Sequence, residues 1–237
     1  VITSAGLFLR NRPEDYGLAP DGIDPDEYQQ EKSSKLNAQQ ASDPSWSLGT
    51  LIKFPTFWKL GLGYGLIMMG VVGVMVQLKP RFSDLGFSDR IAMVMMATTA
   101  LMGGAGKYFW GRLCDRFDER RVVLGLVLFQ VAGFLIIIFG RSIYSLVFFI
   151  FFFGLGMGGA LSTFPVIVAS FFGRENFAQV LKYLALFMTL QSLGYILMGR
   201  SYDLTGSYNL AYYSFIALDL LALALILSAK RPSEIVG

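Results

Sequence analysis

The chain has 237 residues, of which 54% are hydrophobic and only 16% charged, and its mean hydropathy is +0.53. A soluble domain carries about 25% charged residues, so this composition points to lipid as the main solvent. With no histidine and a single cysteine, Cys114, the sequence excludes an internal disulfide, Cys/His zinc sites and histidine acid–base chemistry, and a net charge of +3 is too small to imply a nucleic-acid partner. No cofactor and no resident metal is expected.

Residues 1–8 have no basic region ahead of an apolar one and so do not read as a signal peptide. They read as the end of a preceding transmembrane helix, which makes the chain an expected fragment of a longer protein. Residues 9–56 are polar, with "RPEDYGLAPDGIDPDEYQQEKSSK" at their centre, and predict a solvated cytoplasmic loop. Six apolar runs follow, at about Phe57–Leu78, Ile91–Trp110, Val122–Gly140, Ser145–Phe172, Phe177–Gly199 and Asn209–Ala229. A hydrocarbon core of about 30 Å needs about 20 helical residues to cross. Only helices or closed barrels satisfy the backbone in lipid, and these runs are too long and continuous for barrel strands. The expected fold is therefore an all-α integral membrane domain over 57–229, closed by a cytoplasmic tail at 230–237.

Basic residues set the expected orientation. Fifteen of the twenty Lys and Arg lie at alternate ends of the spans, in the 9–59 segment, the 106–121 stretch, the region of Arg174 and Lys182, and the tail at Lys230 and Arg231. The opposite ends hold Lys79, Arg81, Arg90, Arg141 and Arg200. Both chain ends and the 106–121 hairpin are thus expected in the cytoplasm of a multi-pass plasma or inner membrane protein.

That hairpin carries a recognisable pattern. "GRLCDRFDERRV", Gly111–Val122, resembles the signature G-x-L-x-D-R-x-G-R-R-R of the major facilitator superfamily, matching at Gly111, Leu113, Asp115, Arg116, Arg120 and Arg121. Asp118 and Glu119 stand where the pattern prefers Gly and Arg. In that superfamily the signature falls between helices 2 and 3 and again between 8 and 9. A polar loop followed by six spans, with the signature after the second, implies helices 7–12 of a twelve-helix transporter, with residues 1–8 ending helix 6. "RPEDYGLAPDG" and "YDLTGSYNLAYY" resemble segments of the monocarboxylate and oxalate–formate antiporter branches. The resemblance implies that Asp115, facing the positive end of a helix, and Arg116, Arg120 and Arg121, bridging helix ends, form a conformational latch against the other half. Topology alone is the competing reading for the arginines.

Small residues recur along the spans. Gly61 and Gly65, then Gly103, Gly104 and Gly106, then Gly154, Gly156, Gly158 and Gly159 before Pro165 allow close helix approach. As a set they suggest helices that bend or slide, and static packing is the plainer reading of each one. "GGAGKY" fails the Walker pattern, because Leu101 and Tyr108 occupy its first Gly and last Ser/Thr places.

Polar groups within the spans supply the candidate site. Asn176 and Gln179 predict a capping-box-like helix start, which puts Lys182 about 9 Å deep. There it either snorkels to the interface or faces a cavity and holds an anion, as a helix-11 lysine does in the oxalate–formate antiporters that the chain resembles. Lys107 is either an interfacial anchor beside Trp110 or a monodentate replacement for a cavity arginine of that branch. Tyr64, Gln191 and Tyr195, with Gln77, Ser162 and Thr163, either line a cavity or join helices. Asp219, at mid-span, is either proton-linked or a structural acid bonded to a group such as Gln130. The expected activity is secondary transport of a small mono- or dicarboxylate by alternating access against a six-helix N-terminal half. A transporter of a sugar or drug, or a non-transporting sensor on the same fold, is the alternative. With one mid-span acid and no base beside it, no enzyme is expected.

Overall fold

The computed structural model describes residues 47–174 and 176–231. The chain divides into two units, 1–45 and 46–237, and all the described residues belong to the second. The readings for 1–8 and for most of 9–56 and 230–237 therefore lie outside the described residues.

Among the described residues every regular element is helical. A short helix, α1 (Leu48–Leu51), is started by Ser47, whose side chain accepts from the Thr50 amide. It falls inside what the sequence predicts as an unbroken loop. The bundle follows as α2 (Pro55–Asp84), α3 (Asp89–Cys114), α4 (Glu119–Phe139), α5 (Ile143–Phe172), α6 (Phe177–Leu184), a 3₁₀ segment (Ala185–Gln191), α7 (Ser192–Thr205) and α8 (Asn209–Leu227). Pro55 opens α2, where its missing N–H costs nothing, and Ser142 and Ser145 form a reciprocal capping box at α5. Gly206, at φ 64°, ends α7 in the left-handed conformation that glycine adopts without penalty.

Five of the six expected spans are helical stretches long and apolar enough to cross a membrane, with α6, the 3₁₀ segment and α7 counted as one. The sixth, α3, has 26 residues, about 39 Å at 1.5 Å per residue, and is more polar. Its apolar side is a narrow stripe of Ala92, Met95, Thr99, Gly103, Gly106 and Trp110 that packs on α5. The α2 helix is the hub and packs on α8, the 3₁₀ segment and α7, while α4 lies against α5 and α8.

Two corrections concern the fifth span. It is not one straight helix but α6, about two turns of 3₁₀ helix, then α7. Asn176 sits at the N-cap of α6, yet its side chain makes no capping bond, so the expected capping box is not formed. The glycines resolve toward close packing. A methyl group on Gly158 would run into the Gly103 carbonyl and the Lys107 amide, and one on Gly154 would stand 3.0 Å from the Thr99 carbonyl. The α3 and α5 backbones touch at these points, so the seam is interlocked.

The charged hairpin lies at one end of the bundle, and the chain's last described residues lie there too. The Thr56 hydroxyl donates to the Lys230 carbonyl, and Lys59 Nζ donates to the Ser228 carbonyl at 2.9 Å, which covers exposed carbonyls at the end of α8. The α2 start, the α3–α4 turn and the α8 end therefore share one face of the domain.

Candidate solute-facing span and charged hairpin

The broken span has a local cause. In "ALFMTLQS", the Thr189 hydroxyl donates to the Leu186 carbonyl at 2.7 Å and the Ser192 hydroxyl to the Thr189 carbonyl at 2.7 Å. Such back-bonding competes with the helical ladder and favours bends. A 3₁₀ run in mid-helix has poorer hydrogen-bond geometry and marks a hinge or a strained stretch. No residue of Ala185–Gln191 is fully buried. On its inner side the segment still approaches α2 closely, and a methyl on Gly65 would stand 2.7 Å from the Phe187 carbonyl.

Three of the expected solute-binding residues fall on this span. Lys182 lies in the last turn of α6, where a cation suits the negative end of the helix. It is exposed, and its Nζ stands 5.8 Å from the Tyr183 ring centroid. Gln191, half-buried, is the last residue of the 3₁₀ segment, and Tyr195 on α7 is 46% exposed. Lys107 is exposed on α3, a different helix, with its backbone against the α5 glycines.

Tyr64 stands apart from these residues. It is wholly buried, and its hydroxyl donates to Thr163 Oγ1 at 3.0 Å, while Thr163 donates to the Gly159 carbonyl at 2.8 Å. No solute reaches it in this arrangement. It joins α2 to α5, the interhelical role weighed for it from the sequence.

A cleft of about 400 Å³ opens between α1, the start of α2 and the broken span. Its walls include Trp58, Phe57 and Phe187, which meet edge-to-face at 5.5–5.8 Å, together with Leu186 and Leu190. This lining is apolar, and none of Lys107, Lys182, Gln191 or Tyr195 is part of it.

At the hairpin the roles shift by a few residues. Asp115 is the C-cap of α3, at that helix's negative end and exposed. The acid at a positive end is Asp118, the N-cap of α4, whose carboxylate accepts from the Arg120 amide at 3.0 Å. Gly111 is half-buried, with open space beside its Cα. Asp115, Arg116 and Arg121 are exposed and make no ion pair among the described residues. Arg120 lies over the Phe171 ring at 5.0 Å.

The contact that holds this end together was not anticipated. Glu119 Oε1 accepts from Ser170 Oγ at 2.6 Å and from Arg231 at 3.1 Å, and Arg231 also donates to Ser170 Oγ at 3.0 Å. The start of α4, the end of α5 and the chain after α8 meet in one cluster, with the Glu119 side chain only 13% exposed. The signal was present in the sequence, because Glu119 is one of two acids that depart from the signature.

Asp219 is completely buried on α8, and neither carboxyl oxygen has a hydrogen-bond partner. Gln130 of α4 faces it without completing a bond. The Gln130 Nε2 donates instead to the Ile67 carbonyl at 3.2 Å, which leaves Oε1 as a second unpartnered acceptor.

Membrane-length helices, a broken span and a charged inter-helix hairpin define a helical domain of the kind that spans a bilayer. The Major Facilitator Superfamily matches residues 60–236, and the chain belongs to that family of secondary transporters, which move small solutes across membranes. No curated protein matches the sequence.

Proposed function

We propose that the chain is the C-terminal, six-helix half of a twelve-helix transporter that carries a small organic anion, a mono- or dicarboxylate, by alternating access. The observation that carries this reading is a pair of exposed cations, Lys107 and Lys182, on helices α3 and α6 with no acid partner among the described residues. A charge on a membrane-embedded helix is costly and calls for a counter-ion, which a carboxylate solute supplies. The likeness of the central-loop and α7–α8 segments to the oxalate–formate and monocarboxylate branches supports the same class.

In this reading Lys182, Gln191 and Tyr195 approach the solute together, because all three sit on the span that the 3₁₀ segment breaks. Gly111, Asp115, Arg116, Arg120 and Arg121 form the latch toward the N-terminal half. The exposed carboxylate of Asp115 and the guanidinium groups of Arg116 and Arg121 are available to a partner surface. Asp219 is structural, since it lies inside the α2–α4–α8 packing beside Gln130. The hairpin and both chain ends face the cytoplasm.

Radiolabelled uptake by the full-length protein, with a panel of carboxylates, tests the proposal. Lys182→Gln and Lys107→Gln are expected to lower carboxylate uptake at least about tenfold, the scale of losing one charge-assisted bond. Normal carboxylate uptake by both variants removes the assignment of these lysines. Uptake of lipophilic drugs or sugars without carboxylates transfers the solute to the apolar cleft and removes the anion reading.

A further inference from the structure

The end of the bundle opposite the charged hairpin holds a polar cleft of about 360 Å³ that the transport reading does not use. It is walled by Arg81 and Asp84 at the end of α2, Arg141 in the α4–α5 turn, and Ser207 and Asn209 at the start of α8. Arg81 spends one nitrogen on the Ile137 carbonyl at 3.2 Å, while its Nε is buried with no partner. Asn209 Oδ1 is likewise buried and unpartnered. Neither Arg141 nor Asp84 makes an ion pair among the described residues, and Lys79 nearby is engaged by Asp89 at 3.4 Å. Buried polar atoms are rarely left without partners, so two in one cleft point to a missing ligand.

We propose that this cleft binds the head group of a phospholipid with a primary amine, a phosphoethanolamine, at the membrane surface. Two guanidinium groups and the N-terminal end of α8 suit a phosphate. The Asp84 carboxylate and the Asn209 amide oxygen do not suit a second anion. They accept hydrogen bonds, and an ammonium group offers three N–H donors. A choline head group carries no such donor. Phe139 and Tyr144, 71% and 77% exposed, flank Arg141 as an interfacial aromatic pair. Exposed Val147 and Phe148 continue down α5 as an apolar track for acyl chains. None of the residues that wall the cleft lies on the broken span, which carries the proposed solute contacts.

Native mass spectrometry of the full-length transporter in detergent, titrated with phosphatidylethanolamine, phosphatidylcholine or inorganic phosphate, tests the site. One phosphatidylethanolamine is expected to bind at least about tenfold tighter than phosphatidylcholine, and Arg141→Gln is expected to weaken it about tenfold. Arg141 is exposed in a turn, so this variant keeps its fold, which a matching melting temperature verifies. Asp84→Asn is expected to erase the preference between the two lipids. Arg90→Gln, at the same end but outside the cleft, is expected to bind as the parent does. Equal phosphatidylethanolamine binding by the parent and Arg141→Gln overturns the proposal. So does Arg141-dependent binding of inorganic phosphate with no preference between the lipids, which assigns the cleft to a soluble anion.

Discussion

The α3–α5 seam and the α6–3₁₀–α7 span are both amphipathic walls of one bundle, yet they are built in opposite ways. In the seam, glycines bring two backbones into contact, and Trp110 Nε1 crosses over to donate to the Leu155 carbonyl at 3.0 Å. In the broken span, side-chain hydroxyls loosen the helical ladder, and the 3₁₀ residues bury none of their number completely. Packed interfaces shift between discrete arrangements and do not deform smoothly. In the proposed rocking mechanism the two walls take different parts, a locked seam that moves as a body and a weak point that yields.

The contrast is broken most severely at the seam. Gly106→Ala drives a methyl into the Leu155 carbonyl and is expected to destabilise by about 1–3 kcal/mol or more, read as a fall in melting temperature and in folded yield. Gly104→Ala, two residues away and facing open space, is expected to leave both unchanged. If the two variants behave alike, the seam is not locked.

The Glu119 cluster comes next. Arg231 is 43% exposed, so solvent screening holds the expected loss for Glu119→Gln to about 1 kcal/mol. A double-mutant cycle with Arg231→Gln is expected to show coupling, and full additivity would contradict a shared cluster. The smallest effects belong to Tyr64→Phe, about 0.6 kcal/mol for one interhelical bond in a membrane, and to Lys182→Gln, within about 0.5 kcal/mol of zero. Because Lys182 is exposed and makes no ion pair among the described residues, its replacement sharpens the comparison when uptake falls while stability holds.

The fold was legible because its cause is periodic and strong. Runs of about 20 apolar residues announce spans in lipid. Even α3, the least apolar of the spans, was legible as the apolar run Ile91–Trp110. The site was less legible because its geometry depends on side-chain hydrogen bonds that have no period. Nothing in "ALFMTLQS" announces a 3₁₀ segment until Thr189 and Ser192 are seen to bond backwards. Tyr64 reads equally well as cavity lining or as glue until Thr163 appears 3.0 Å away. Glu119 was passed over because it breaks a pattern, and its partners Ser170 and Arg231 lie 51 and 112 residues further along the chain.

Amide hydrogen exchange on the full-length transporter in lipid, resolved for segments 185–191 and 154–160, tests most directly the contrast on which the transport reading rests. The contrast predicts exchange at least about tenfold faster in 185–191, an opening free energy lower by about 1.4 kcal/mol, with slowing of that segment alone when a transported carboxylate is added. Equal exchange in the two segments, unaltered by any carboxylate, would contradict it.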